Sequence, residues 1–152
     1  MSEKKVRNIF VEGPIAAQFI ADNISKHSTK KNIGAHSIFM GQVRNDMIAG
    51  KEVVAIEYTA YTDMANERMA EIREEIFSKY PLTCMHIYHS LGIVKSGEIS
   101  LFVFTSSAHR KAAIDACEEI VERIKKELPV WGKELFDEGY VWKSSNDPEK
   151  QT

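Results

Sequence analysis

Between Val53 and Tyr61 the chain alternates, with Val54, Ile56, Tyr58 and Ala60 on one side and Glu57 and Thr59 on the other. A period of two predicts a half-buried strand. The period then changes. Ala65, Met69, Ile72, Ile76 and Tyr80 recur at helical spacing, while Glu67, Glu71, Arg73, Glu74 and Glu75 fall on the opposite side. This predicts an amphipathic helix, capped by Thr62 or Asp63 and ended by Pro81. A longer helix is predicted from about Ala108 to Leu128, with Ala113, Cys117, Ile120, Ile124 and Leu128 as its buried stripe. Pro129 disfavours helical geometry at Leu128 and marks the stop. A short helix starts at Pro14, where Ile15, Phe19, Ile20 and Ile24 can share a face.

Strands fill the rest. Gly34 to Val43 has strand character, and two more strands are predicted at about Thr83 to His89 and Glu98 to Thr105, joined through Gly92 and Ser96-Gly97. Leu101-Phe102-Val103-Phe104 is apolar on both faces, which predicts a central strand. Trp131 to Phe136 and Tyr140 to Lys143 form a predicted hairpin through Asp137-Glu138-Gly139. Ser25 to Asn32 reads as a surface loop, Arg44-Asn45-Asp46 as a turn, Ala49-Gly50-Lys51 as flexible, and 144–152 as a frayed polar tail. Interleaved strands and helices without internal repeats predict one α+β domain spanning 1–152.

Composition narrows the function. A chain of 152 residues, 43% hydrophobic and 28% charged, can bury a core without staples. Its formal net charge of -2 argues against a nucleic-acid surface, so any positive site is local. Cys84 and Cys117 have no paired-ligand spacing and read as reduced thiols. No apolar run approaches a membrane span, and the N-terminus lacks a signal-peptide core, which predicts a cytoplasmic protein. Neither GxGxxG nor GxxxxGK[ST] occurs. Of the five histidines, His86 and His89 lie three apart on a predicted strand and point to opposite faces, so no metal site is expected, nor any cofactor. Ser106 and Ser107 near His109 lack a GxSxG elbow and are expected to cap the helix.

The cations carry more. Arg44 follows a strand ending in Gly41-Gln42-Val43, so its guanidinium leaves a rigid element. His109 and Arg110 stand at a predicted helix N-terminus, where free N–H groups already favour an anion. Lys125 borders the buried stripe at the other end, and Lys133 shares a strand face with Trp131. Fifteen helical steps from Arg110 to Lys125 make roughly 22 Å. One small ligand cannot bridge that within a subunit, so a shared site needs two chains.

The runs Phe39-Met40-Gly41-Gln42-Val43-Arg44-Asn45, Thr105-Ser106-Ser107-Ala108-His109-Arg110, and Lys125 followed by Leu128-Pro129-Val130-Trp131-Gly132-Lys133-Glu134 resemble the MoaE family, the catalytic large subunits of molybdopterin synthase. The resemblance covers about Gly34 to Trp142. It implies an α/β hammerhead with an added antiparallel sheet. It also implies a sulfurtransferase of molybdenum cofactor biosynthesis that converts cyclic pyranopterin monophosphate (precursor Z) to molybdopterin by installing two sulfurs as a dithiolene. Sulfur arrives as a C-terminal thiocarboxylate on a small ubiquitin-like (MoaD-like) carrier whose Gly-Gly tail inserts into the large subunit. Family members form a homodimer with one carrier at each end, a heterotetramer.

The family's substrate-binding and catalytic positions fall here on Gln42, Val43, Arg44, His109, Arg110, Lys125, Gly132, Lys133 and Glu134, with Lys125 and Lys133 as the catalytic pair. Many members carry a second active-site lysine directly after the tryptophan, where this chain has Gly132. Lys133 can replace it only if Gly132 permits a bulge or turn. On this reading Arg44 and a partner's His109-Arg110 pair hold the phosphate and pterin. Lys125, its pKa lowered by neighbouring cations, polarises the thiocarboxylate and transfers protons. Two other classes stay open: a module that senses a phosphorylated metabolite without turnover, and a scaffold that only docks a ubiquitin-like protein.

Overall fold

The structure is a computed structural model. It describes residues 6–137 and 140–143, the last four as backbone. Nine strands and three helices follow in the order β1 (Phe10–Glu12), α1 (Ala17–Lys26), β2 (Ala35–Gln42), β3 (Met47–Ile48), β4 (Lys51–Glu52), β5 (Ala55–Ala60), α2 (Thr62–Lys79), β6 (Leu82–Lys95), β7 (Ile99–Ser107), α3 (Arg110–Glu127), β8 (Val130–Leu135) and β9 (Tyr140–Lys143). Seven strands form one sheet in the order β2-β7-β6-β5-β8-β9, with β1 parallel to β6, and β3 and β4 make a separate hairpin. The fold is α+β, as the periodicities predict.

Why this arrangement forms is clearest at β7. Leu101, Phe102, Val103 and Phe104 are all nearly inaccessible to water. Leu101 and Val103 join Ile72, Ile76, Ile120 and Ile124 of α2 and α3 in the main core. Phe102 and Phe104 pack with Ile15 and Ile20 on the other face, under α1. A strand covered on both faces needs apolar residues at every position. The segment is central, between β2 and β6. A third cluster, Val43, Val53, Ile56 and Val94, closes the far end of the sheet.

Several boundaries differ from the expectation. The first helix begins at Ala17 and not Pro14, and Ile24 is exposed while Ile20 and Asn23 face inward. Neither Thr62 nor Asp63 caps α2: the chain passes from Ala60 straight into the helix, and Tyr61 occupies the cap position without a side-chain bond. Strand β6 does not stop at His89. It runs on through Gly92, whose φ of +81° is open to glycine, and its edge changes partner there, from β1 up to Leu91 to β5 from Gly92 onward. Ala49 and Gly50 are not loose: with φ of 51° and 79° they form the two-residue turn of the β3–β4 hairpin. The β8–β9 hairpin is present, its tip at 138–139 lying outside the described residues, as does the 144–152 tail.

Ion pairs join α2 to α3 near the latter's C-terminal end. Glu127 is shared by Arg68 and Arg123, and Arg123 also reaches Glu75 at 3.3 Å. Among the described residues no helix is long and apolar enough to cross a membrane. Both cysteines are free and buried.

Candidate active site

Helix α3 is unbroken from Arg110 to Glu127, so Arg110 and Lys125 sit near opposite ends of one rod, roughly 22 Å apart. The sheet supplies a second ruler. Ala35 pairs with Ser107, just before α3, and Gln42 pairs with Ile99 at the other end of β2. Seven strand steps put those rows roughly 24 Å apart. Gln42, Val43 and Arg44 are thus remote from His109 and Arg110 in the same subunit.

At the first end, His109 holds extended backbone (φ -121°, ψ 144°) and Arg110 opens the helix, whose first turn has no acidic residue. Both side chains are exposed. Ser107 fixes this start: its hydroxyl donates to the His109 carbonyl and accepts the Ala113 N–H at 3.1 Å. Ser106 does not cap; its hydroxyl meets His36 Nδ1 at 2.7 Å. Gly34 matters equally. Its N–H donates to Ser107 O at 3.0 Å, and a Cβ there would lie 2.1 Å from Ala108 O. Only glycine lets the strand pass so close to the turn into α3. The result is an open groove of about 570 Å³ lined by Gly34, Ala108, His109, Arg110 and Lys111 among others.

At the second end, Val43 is buried and pinned by two backbone bonds, its N–H to Glu98 O at 3.0 Å and its carbonyl from Gly97 N–H at 2.8 Å. Arg44 therefore leaves a fixed backbone, with its guanidinium 3.3 Å from Asp46 and half in water. Lys125 belongs to this end. Its charge acts on His89, and His89 pairs with Leu101, which in turn pairs with Gly41 beside Gln42. Burial, with the Lys125 charge adding to it, pushes the His89 pKa down to about 4. The ring is neutral at pH 7 and its Nδ1 bonds Ser90 O at 2.8 Å.

Strand β8 pairs with β5 without interruption from Val130 to Leu135, so Gly132 introduces no bulge. Lys133 consequently points away from the Gly132 side, onto the face it shares with Trp131, and meets Glu57 at 3.3 Å. The condition for Lys133 to take the place of a lysine at 132 is not met. Glu134, on the Gly132 side, is buried. A side chain at 132 would run into Ile56, whose Cγ2 lies 2.9 Å from an added Cβ.

The family model described as MoaE protein matches residues 13–127. The chain belongs to the MoaE family. Within it, the molybdopterin synthase catalytic subunit of Bacillus subtilis (strain 168) is 40% identical over 121 residues, 80% of this chain and 76% of that protein. Molybdopterin synthase from Staphylococcus aureus has a similar crystal structure, with a TM-score of 0.78 and 33% identity over 89% of this chain and 95% of that one. A complex of subunits 1 and 2 of molybdopterin-converting factor from Helicobacter pylori shares the fold, at a TM-score of 0.78 and 19% identity over 91% of this chain and 90% of the other. The MoaE match includes Gln42 to Arg44, His109, Arg110 and Lys125, and ends before Gly132.

Three participants escape a reading of this MoaE-family sequence alone. Gly34 gave only the signal of a glycine at a strand start. His89 and Glu57 gave none, because Lys125 meets His89 only where α3 packs on the sheet and Lys133 meets Glu57 only through strand register.

Proposed function

We propose that this chain is the catalytic subunit of a molybdopterin synthase, moving sulfur from a carrier's C-terminal thiocarboxylate to cyclic pyranopterin monophosphate. Membership of the MoaE family, together with cations at both ends of α3, carries the reading. Substrate and sulfur donor are both anionic. A site that takes them must gather positive charge before chemistry starts.

Neither end of α3 suffices alone. With roughly 22 Å between them, the complete site takes Gln42, Val43, Arg44 and Lys125 from one subunit and His109 and Arg110 from its dimer partner. Arg44 and the partner's His109-Arg110 pair hold the phosphate and pterin. The small ubiquitin-like carrier, one bound at each end of the homodimer, brings its terminal glycine to Lys125. The thiocarboxylate sulfur bonds to a pterin carbon, water then attacks the resulting thioester carbonyl, and the acyl C–S bond breaks to leave sulfur on the pterin and a carboxylate on the carrier. The Lys125 ammonium stabilises the oxyanion of that attack and relays the proton that the water loses. His89, neutral and buried, adds no competing charge beside it. Lys133, paired with Glu57 on the Trp131 face, takes the lesser part of adding positive charge to the approach of the carrier tail. A cytoplasmic location fits the two free cysteines, since thiols persist where the compartment is reducing.

The test is reconstitution. Thiocarboxylated carrier plus cyclic pyranopterin monophosphate and the purified chain should yield the dithiolene product, and carrier ending in an ordinary carboxylate should yield none. Pterin binding without product would leave a metabolite sensor. Carrier binding without product, indifferent to pterin and to Arg44→Ala, would leave a docking scaffold.

A further inference from the structure

On the face of the sheet away from α2 and α3, three potential ligands converge that sulfur transfer does not use. Cys84 and His86 are two apart on β6 and so share a face, unlike the His86 and His89 pair. His27, the residue that ends α1, comes down on them. The ligand atoms of all three lie within 4.8 Å of one another, and His27 and Cys84 are buried.

Hydrogen bonding sets the His27 tautomer. Its Nδ1 lies 2.7 Å from the Asn23 carbonyl oxygen, which can only accept, so Nδ1 carries the proton and Nε2 presents a lone pair. That is how a metal-binding imidazole is usually oriented from behind. The lone pair is aimed at His86 Nε2, 3.0 Å away. Phe104 stacks on the His27 ring at 4.9 Å and holds it in place. Ligands around one tetrahedral zinc ion stand roughly 3.3 Å apart for two nitrogens and about 3.6 Å for nitrogen and sulfur, given bonds of about 2.0 and 2.3 Å. The two imidazole nitrogens, 3.0 Å apart, are close to that spacing, and the Cys84 sulfur lies within 4.8 Å of both.

We propose that His27, Cys84 and His86 bind a first-row transition-metal ion of zinc type, with water in the fourth position, tying the end of α1 to β6. The electrostatics make one ligand decisive. Lys30, Arg73 and Arg7 all put positive charge near His86, and Lys30 Nζ donates to Cys84 Sγ at 3.0 Å. Two neutral imidazoles cannot hold a divalent ion against that charge; a thiolate, displacing the exposed Lys30 into water, can. Cys84 should therefore be indispensable, and Lys30 should compete with the metal.

The full-length chain, stripped with chelator and kept reduced, is titrated with Co²⁺. Binding at one ion per chain should give a thiolate-to-cobalt charge-transfer band and the intense visible bands of four-coordinate cobalt, both displaced by Zn²⁺. Zn²⁺ should also raise the melting temperature. Cys84→Ser and His86→Ala should lose the bands, Cys117→Ser should keep them, and Lys30→Ala, a surface change that leaves the fold alone, should bind more tightly. No charge-transfer band in wild type and in Lys30→Ala, or a band that survives Cys84→Ser, overturns the proposal and leaves a hydrogen-bonded polar patch.

Discussion

The two ends of α3 carry like charges in opposite electrostatic settings. Lys125 and Lys126 occupy the last turn, where the helix dipole favours a cation and the Arg68–Glu127–Arg123 cluster ties the helix to α2. His109 caps the other end and Arg110 and Lys111 open it, where the dipole disfavours a cation; Lys111 is offset by Asp115 at 2.9 Å, whereas the first turn itself holds no acidic residue. Helix stability alone accounts for the lysines. It does not account for Arg110, whose placement against the dipole fits the proposed anionic substrate. The more persuasive functional signal is thus the one the helix resists, and Lys125 earns its role from its neighbours and not from its position.

The sharpest way to break the comparison is Lys125→Ala assayed with pre-thiocarboxylated carrier. Loss of the proposed oxyanion-stabilising group should lower turnover about 10²–10³-fold with little change in melting temperature. Near-normal conversion would remove Lys125 from the chemistry. Mixing Lys125→Ala chains with Arg110→Ala chains then asks whether the ends cooperate across subunits. One intact site per heterodimer should restore about a quarter of wild-type activity after random reassortment. An inactive mixture whose heterodimers are verified would show that each subunit's site is complete within itself.

The next test concerns the surroundings of Lys125. His89 is neutral in the folded protein down to about pH 4, whereas in the unfolded chain it titrates near 6.5. Its folded pKa is lowered, so the full stability is present above pH 6.5 and declines as pH falls toward 4. The contribution is about 3 kcal/mol. Urea midpoints at pH 7.5 and 4.5 should show a smaller acid loss for His89→Phe than for wild type. An unchanged slope would mean that His89 protonates in the folded state.

At the other end, Gly34→Ala forces a Cβ to within 2.1 Å of Ala108 O. It should cost about 2 kcal/mol in denaturant melts and weaken pterin binding by displacing His109 and Arg110, while carrier binding stays unchanged. Lys133→Ala should have the smallest effect, below about 1 kcal/mol in stability and only a few-fold in turnover, because its partly exposed pair with Glu57 is a surface ion pair. A loss as large as that of Lys125→Ala would restore it to the centre of the mechanism.

These contrasts track what the sequence made legible. Elements with long, clean periods were readable: α2, α3, and β7 with its apolar residues on both faces. The β3–β4 hairpin was not, since two-residue strands carry no period and Ala49 at positive φ follows no local rule. Nor was the length of β6, because a glycine that lets a strand change partners looks the same as one that ends it. For the site, counting residues along a helix was enough to separate Arg110 from Lys125. Counting could not place Lys125 beside His89, Lys133 beside Glu57, or His27 over Cys84 and His86. Those meetings depend on which strands lie next to each other and on where α1 and α3 pack across them.

An active site shared between two subunits, as proposed, inherits its tolerances from a helix. Inserting four residues in α3 would lengthen it by about 6 Å and turn one end relative to the other by roughly forty degrees. Both of the proposed composite sites of a symmetric dimer would then fall out of register at once, although none of the proposed substrate-binding residues had changed. The length of α3 is therefore as much a part of this enzyme's specificity as its side chains, and natural insertions should be borne by the β3–β4 turn instead.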